Sequence, residues 1–217
     1  MERALREPSG LLCAGADLSS ERLLEAYRHG IFPWFSGNEP ILWWSPDPRM
    51  VLFGSELKVP RSLAKSIRNK GFEVRIDGDF AGVLEGCAAP RRDGAGTWLV
   101  DPMRAAYQRL HREGWAHSFE CWREGTLAGG LYGVAIGRMF YGESMFSRVT
   151  DASKVALVAL VEELGARGFP LTDCQVRTPL LASLGAREIP RRDFLRRLHT
   201  LVNYLEPRGK WTRVPAQ

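Results

Sequence analysis

A chain of 217 residues that is 45% hydrophobic and 25% charged can bury one sizeable core or two small ones, and is too apolar for disorder. Its 30 Lys and Arg against 25 Asp and Glu leave +5, a balance that permits a polyanionic partner without demonstrating one. The opening MERALREPSG has no charged-then-apolar leader and no apolar run approaches the roughly 18 residues of a membrane span, so a cytoplasmic, membrane-free protein is expected.

In chain order, the first 50 residues are rich in aromatics and turn formers. ERLLEAYRHG predicts a short helix, with Ser20 as cap, Glu21 in the first turn and Gly30 as stop. IFPWF and ILWWSPDPR follow, and Pro46 and Pro48 interrupt regular structure. That places a boundary between a small N-terminal domain, residues 1–48, and a larger domain, residues 49–217. RSLAKSIRNK predicts a helix, FEVRID a strand and DFAGVLEGCA another helix. Asp101 as cap, Pro102 at the first helical position and Gly114 beyond the end bracket the next one. SFECWR, LAGGLYGVAI and RMFYGESMF predict an antiparallel meander. SKVALVALVEELGARG predicts a helix with Leu157, Val161 and Leu164 at helical spacing. LTDCQV predicts a short strand, and DFLRRLHTLVNYL a last helix, apolar at Phe194, Leu198, Leu201 and Leu205. This order implies an α/β fold with helices against a mixed sheet.

Few groups stand out chemically. Residues two apart in a strand share a face, so Leu171, Asp173 and Gln175 point one way and Thr172, Cys174 and Val176 the other. A buried carboxylate is costly, and a neighbouring amide donor would relieve it. The plain alternative is a satisfied polar pair at a strand end. Glu143, in FYGESMFSR, ends another strand beside Gly142, where a ligand can approach or where an edge charge simply meets water. Arg61, Lys65 and Arg68 share a helix face that either tracks phosphates or is only solvated. Trp34, Trp43, Trp44 and Trp98 are base-stacking candidates or core. Cys13, Cys87, Cys121 and Cys174 are too scattered for zinc or a disulfide framework, and no phosphate loop or metal motif is present, so no cofactor and no metal are expected. Spacing alone names no reaction.

Taken together, LREPSGLL, AYRHGIFPWF, ILWWSPDPR, EGCA, GTWLV, YGESMFSR, ASKVAL, DCQV, SLGA and EIPRRDFL resemble the leucyl/phenylalanyl-tRNA–protein transferase family, in order from about residue 4 to 198. The resemblance implies a cytoplasmic bacterial enzyme that moves leucine or phenylalanine from aminoacyl-tRNA to proteins beginning with Arg or Lys, marking them for N-degron proteolysis. It implies a monomer with a small N-terminal domain and a larger one similar to the GCN5-related N-acetyltransferase fold. By motif, Asp173 and Gln175 would be the catalytic pair, Asp173 orienting the Gln175 amide toward the attacking amine. Glu143 would hold the aminoacyl end, Trp34 and Trp98 would contact the terminal adenosine, and Leu131, Met145 and Leu157 would line the side-chain pocket. Two positions depart from the family pattern: Leu180 replaces a histidine, and Thr172 replaces the aliphatic residue before the aspartate. The competing expectations are a CoA-dependent N-acetyltransferase and a non-catalytic tRNA-binding adaptor. The join SRVTDASK lacks the glycines that the former needs.

Overall fold

The computed structural model describes residues 4–5, 7–37, 39–90, 99–205 and 208–212. Strands Leu11–Ala14 (β1), Phe32–Pro33 (β2) and Leu42–Trp44 (β3) make a small sheet in the order β1-β3-β2. Helix Ser20–Arg28 (α1) joins its first two strands. Ser19, not Ser20, is the N-cap, because the Ser20 hydroxyl is already bonded to Glu113 at 2.9 Å. Gly30 follows the helix at φ +71°, and a Cβ there would sit 2.8 Å from Leu195 and 2.9 Å from Phe194, so both backbone and space require glycine.

The chain leaves this sheet at Trp44 and enters a seven-stranded one at Arg49. The larger sheet is built from Arg49–Phe53 (β4), Glu73–Ile76 (β5), Ala116–Arg123 (β6), Thr126–Ile136 (β7), Met139–Ser147 (β8), Leu171–Gln175 (β9) and Arg187–Ile189 (β10). Its order is β10-β4-β9-β8-β7-β6-β5, antiparallel at every join except β8–β9. The expected meander is β6–β7–β8. The parallel join needs a crossover, and helix Ala152–Ala166 (α5) supplies it. Helices Arg61–Asn69 (α2), Phe80–Ala88 (α3), Asp101–Arg112 (α4), Pro179–Ser183 (α6) and Arg191–Leu201 (α7), with one short 3-10 turn at Gly54–Glu56, complete the described elements. The fold is α/β, a mixed sheet flanked by helices.

Two apolar layers sandwich the sheet. One carries Leu23 and Tyr27 of α1, Val83 of α3, Tyr107 of α4 and Phe194 of α7; the other carries Leu63 of α2 and the α5 residues Leu157, Val161 and Leu164. Two expectations are corrected, and one strand is new. Asp101 opens α4 but caps nothing, its carboxylate being paired with Arg104, and Val100 is the N-cap. The last helix stops at Leu201, leaving Leu205 fully exposed. Strand β4 had no sequence expectation: its residues Arg49 to Leu52 are buried on both faces and show no polar alternation.

Candidate active site

β8 and β9 run side by side only through Met139–Leu171, Phe140–Thr172 and Tyr141–Asp173. Beyond these pairs β8 continues to Ser147 without β9, so the sheet opens at the carboxyl ends of its two parallel strands. Ligands of open α/β sheets sit at such openings. Both strands are irregular there. Tyr132 faces Ser144 while Gly133 faces Gly142, so Glu143 is the extra residue of a β-bulge. On β9, Met50 pairs with Gln175 and Val51 with Asp173, which makes Cys174 the extra residue.

The Glu143 bulge reverses the alternation of β8. Tyr141 before it and Phe146 after it face the α1–α4 layer, whereas Phe140 and Met145 face α5. Glu143 is half-buried among polar partners. Its Oε1 accepts from the Tyr27 hydroxyl at 2.8 Å and from Gln175 Nε2 at 3.1 Å, and its Oε2 accepts from the Tyr107 hydroxyl at 2.7 Å. The two hydroxyl oxygens are themselves 2.7 Å apart. Tyr141 holds α1 in place by donating to the Tyr27 carbonyl at 2.8 Å, which also accepts the Gly30 N–H at 2.9 Å. β8 is an interior strand, so the reading of Glu143 as an edge charge is set aside.

Asp173 is fully enclosed. The equally enclosed Arg49 donates Nε to its Oδ1 at 2.7 Å and Nη2 to its Oδ2 at 2.5 Å, a bidentate pair. The remaining Nη1 reaches the Gly30 carbonyl at 3.0 Å, and the guanidinium lies between the rings of Phe32 at 4.9 Å and Phe194 at 4.6 Å. Asp173 Oδ1 also accepts the backbone N–H of Gln175 at 2.9 Å, two residues on, and Gln175 has φ +59°. This turn holds a non-glycine residue in the left-handed region. The expectation that the neighbouring Gln175 amide relieves the Asp173 carboxylate is therefore corrected. Asp173 fixes the Gln175 backbone, Arg49 relieves the carboxylate, and the Gln175 amide nitrogen is spent on Glu143. Among the described residues no donor reaches the Gln175 amide oxygen.

Burial pushes the Glu143 carboxyl up to about 7, with the Asp173 charge adding to it and the two phenols opposing. Burial first, then the Glu143 charge, hold the Tyr27 and Tyr107 hydroxyls well above the usual phenol range, so both stay protonated donors. The folded chain thus binds a proton that the unfolded chain, with its carboxyl near 4.5, has released. Stability should fall as pH rises from about 4.5 to about 7 and stay reduced above that. Glu143→Gln copies the protonated form, so it should stabilise the fold by about 3 kcal/mol at pH 8 and leave it nearly unchanged below about pH 4. Urea midpoints at the two pH values measure this; equal shifts at both would contradict it.

The remaining expected residues divide between the faces. Leu131 and Met145 are cross-strand partners and share a cluster with Leu157 on the α5 side, across the sheet from Tyr27 and Tyr107, the partners of Glu143. Trp34 is 43% exposed and lies 5.7 Å from the Trp44 ring; Trp98 falls outside the described residues. Thr172 is buried, and Leu180 on α6 packs against the α5-side cluster. A surface depression of about 530 Å³ at the α1–α4 seam, lined by Leu18, Ser20, Pro102, Arg109 and Glu113 among others, contains none of the polar cluster. Sequence reasoning missed Arg49, Tyr27 and Tyr107. The cost of burying Asp173 was the available signal, since an enclosed carboxylate demands a cation from somewhere.

Two family profiles match the chain: leucyl/phenylalanyl-tRNA protein transferase over residues 51–199, and the N-terminal domain of that family over residues 16–47. A leucyl/phenylalanyl-tRNA–protein transferase of Thiobacillus denitrificans is 63% identical over 212 residues, covering 98% of this chain and 93% of that protein. One from Nitrosospira multiformis is 60% identical over 211 residues, covering 97% and 91%. Among solved structures, a GCN5-related N-acetyltransferase from Kribbella flavida aligns with 75% of this chain and 58% of its own, at 12% identity and a TM-score of 0.42.

Proposed function

The chain belongs to the leucyl/phenylalanyl-tRNA–protein transferase family, which makes it an aminoacyltransferase acting between an aminoacyl-tRNA and a protein, and we propose that it moves leucine or phenylalanine to the α-amine of proteins beginning with Arg or Lys, at the opening between β8 and β9. The carrying observation is the Gln175 amide. Its nitrogen is anchored to Glu143 at 3.1 Å, its backbone is anchored to Asp173 at 2.9 Å, and among the described residues its oxygen receives no donor. An acceptor aimed in this way holds an amine N–H and directs the nitrogen lone pair at the ester carbonyl. The ester is already activated, so positioning is the main requirement, and effective molarity supplies up to about 7–11 kcal/mol. Asp173 and Arg49 act from behind, as positioning groups.

The apolar set Leu131, Met145 and Leu157 suits an unbranched-at-Cβ apolar side chain, and selection by shape there is worth ~1–3 kcal/mol per methylene. Arg61, Lys65 and Arg68 on α2 are exposed and carry no acidic partner among the described residues, which suits a phosphate backbone, while exposed Trp34 suits a base. The CoA reading meets an obstacle at the start of α5. There the Ser153 N–H is taken by Ser147 Oγ at 2.9 Å, and Asp151, held to about 2 by Ser66, Lys154 and Lys70, places a carboxylate where a pyrophosphate would need donors.

Labelled phenylalanyl-tRNA incubated with a peptide beginning with Arg should label the peptide, and an N-acetylated copy should stay unlabelled. Binding of the tRNA should weaken steeply between 50 and 200 mM salt, by roughly tenfold or more, as phosphate counterions are released. Transfer to the acetylated peptide, or none to the free one, would overturn the proposal.

A further inference from the structure

Tyr27, Tyr107 and Glu143 meet in a closed triangle of oxygen contacts, 2.8, 2.7 and 2.7 Å on its sides. Each side needs one hydrogen, and the two phenols bring two. With Glu143 ionised, one side is left with oxygen lone pairs facing each other. A third proton closes the ring: the carboxyl donates to one phenol, that phenol to the other, and the second phenol back to the carboxylate. The cluster is one proton short when ionised and complete when protonated. Among the described residues, Oε2 has only the Tyr107 donor, so it has a lone pair on which a proton can arrive.

We propose that Tyr27 and Tyr107 are positioning residues that make Glu143 the proton acceptor of the transfer, storing in this ring the proton that the incoming α-ammonium must shed. This rests on the reading of the β8–β9 opening as the transfer site. The ammonium gives one proton to Glu143 and gains a free lone pair. The nitrogen attacks the ester carbonyl, the C–N bond forms as the C–O bond to the ribose breaks, and a second nitrogen proton passes to the departing ribose oxygen. Glu143 then returns its proton to water. In sum, ammonium and ester give amide, ribose hydroxyl and one proton.

The neighbours leave Glu143 as the group that responds near neutral pH. From β4 and β9, Arg49 and Asp173 face it as a mutually paired couple. From α1, α4, β7 and β8 the titratable groups that bear on it are the phenols Tyr27, Tyr107, Tyr132 and Tyr141, all pushed well up by burial. Gln175 is uncharged.

The test is kcat/KM against pH from 6 to 9 for wild type, Tyr27→Phe, Tyr107→Phe and Glu143→Gln, each variant divided by wild type so that pH effects common to all four cancel and only the dependence on removing the ammonium proton remains. Losing a phenol donor disfavours the ionised carboxylate. The phenylalanine variants should therefore fall about tenfold near pH 7 and approach wild type above about pH 8.5, where the amine, whose pKa is about 7.7–8.0, arrives already neutral. Glu143→Gln should show the same convergence from a deeper deficit. Phenylalanine ratios that stay constant with pH would mean that the tyrosines only pack, and would overturn the proposal. If Glu143→Gln and Gln175→Ala both match wild type throughout, the site reading itself fails. Should a phenylalanine variant not fold, the infrared difference between wild type and Glu143→Gln decides: a protonated-carboxyl band that titrates near neutrality supports the proposal, and its absence overturns it.

Discussion

Arg49→Met is expected to destabilise the protein by about 3–5 kcal/mol, because it leaves the Asp173 carboxylate enclosed with no cation. Against the roughly 5–15 kcal/mol that holds a domain together, this is a large fraction. Methionine restores most of the volume between Phe32 and Phe194, so the loss reports charge and hydrogen bonding rather than a cavity. It forfeits both Asp173 contacts and the one to the Gly30 carbonyl. Arg49→Lys should rescue little, since one ammonium cannot span both carboxylate oxygens and the carbonyl beyond them. The second substitution Asp173→Leu, added to Arg49→Met, should recover a good part of the loss, as apolar replacement of a whole buried pair commonly does. Urea unfolding of the four proteins measures this, and a single-variant loss under about 1 kcal/mol would show that the pair is not sealed from water.

Gln175→Ala is expected to lower kcat/KM by about 10²-fold while tRNA affinity stays within about twofold, since a reacting group held 1 Å out of place costs that much. Alanine also carries a Cβ, so the left-handed backbone at φ +59° is no more strained than before, and the loss is assignable to the amide. Gln175→Glu separates two roles. It keeps an oxygen acceptor but sets a carboxylate against Glu143, replacing a 3.1 Å hydrogen bond by repulsion, and should be at least as damaging as alanine at pH 8. Single-turnover transfer from preformed aminoacyl-tRNA complexes reads the chemical step directly. Full activity in Gln175→Ala would remove the amide from the mechanism.

Local patterns carried much of the architecture. The meander from β6 to β8, helix α5 and the existence of strand β9 follow from alternation, helical spacing and glycine stops. Strand β4 did not, although it lies directly beside β9, because a run buried on both faces has no periodicity to read. The candidate site was half legible for a related reason. Glu143, Asp173 and Gln175 stand out as polar residues in apolar strands. Their partners Tyr27, Tyr107 and Arg49 lie 116, 36 and 124 positions away from them, and only tertiary packing brings them in. The inserted residues at Glu143 and Cys174 were hidden as well, since a bulge changes register without changing composition.

The bulge at Glu143 carries a consequence for how the protein can vary. One surplus residue divides β8 into two segments out of phase, so its first part answers to the tyrosine layer and Met145 to the opposite compartment. If the proposed pocket is right, exchanging Met145 for another apolar residue should retune which amino acid is carried while leaving Glu143 and its tyrosines as they are. Deleting Glu143 would restore an unbroken alternation in which Met145 and Phe146 keep their present faces, so it would remove the carboxylate from the tyrosine layer while leaving the apolar compartment in register.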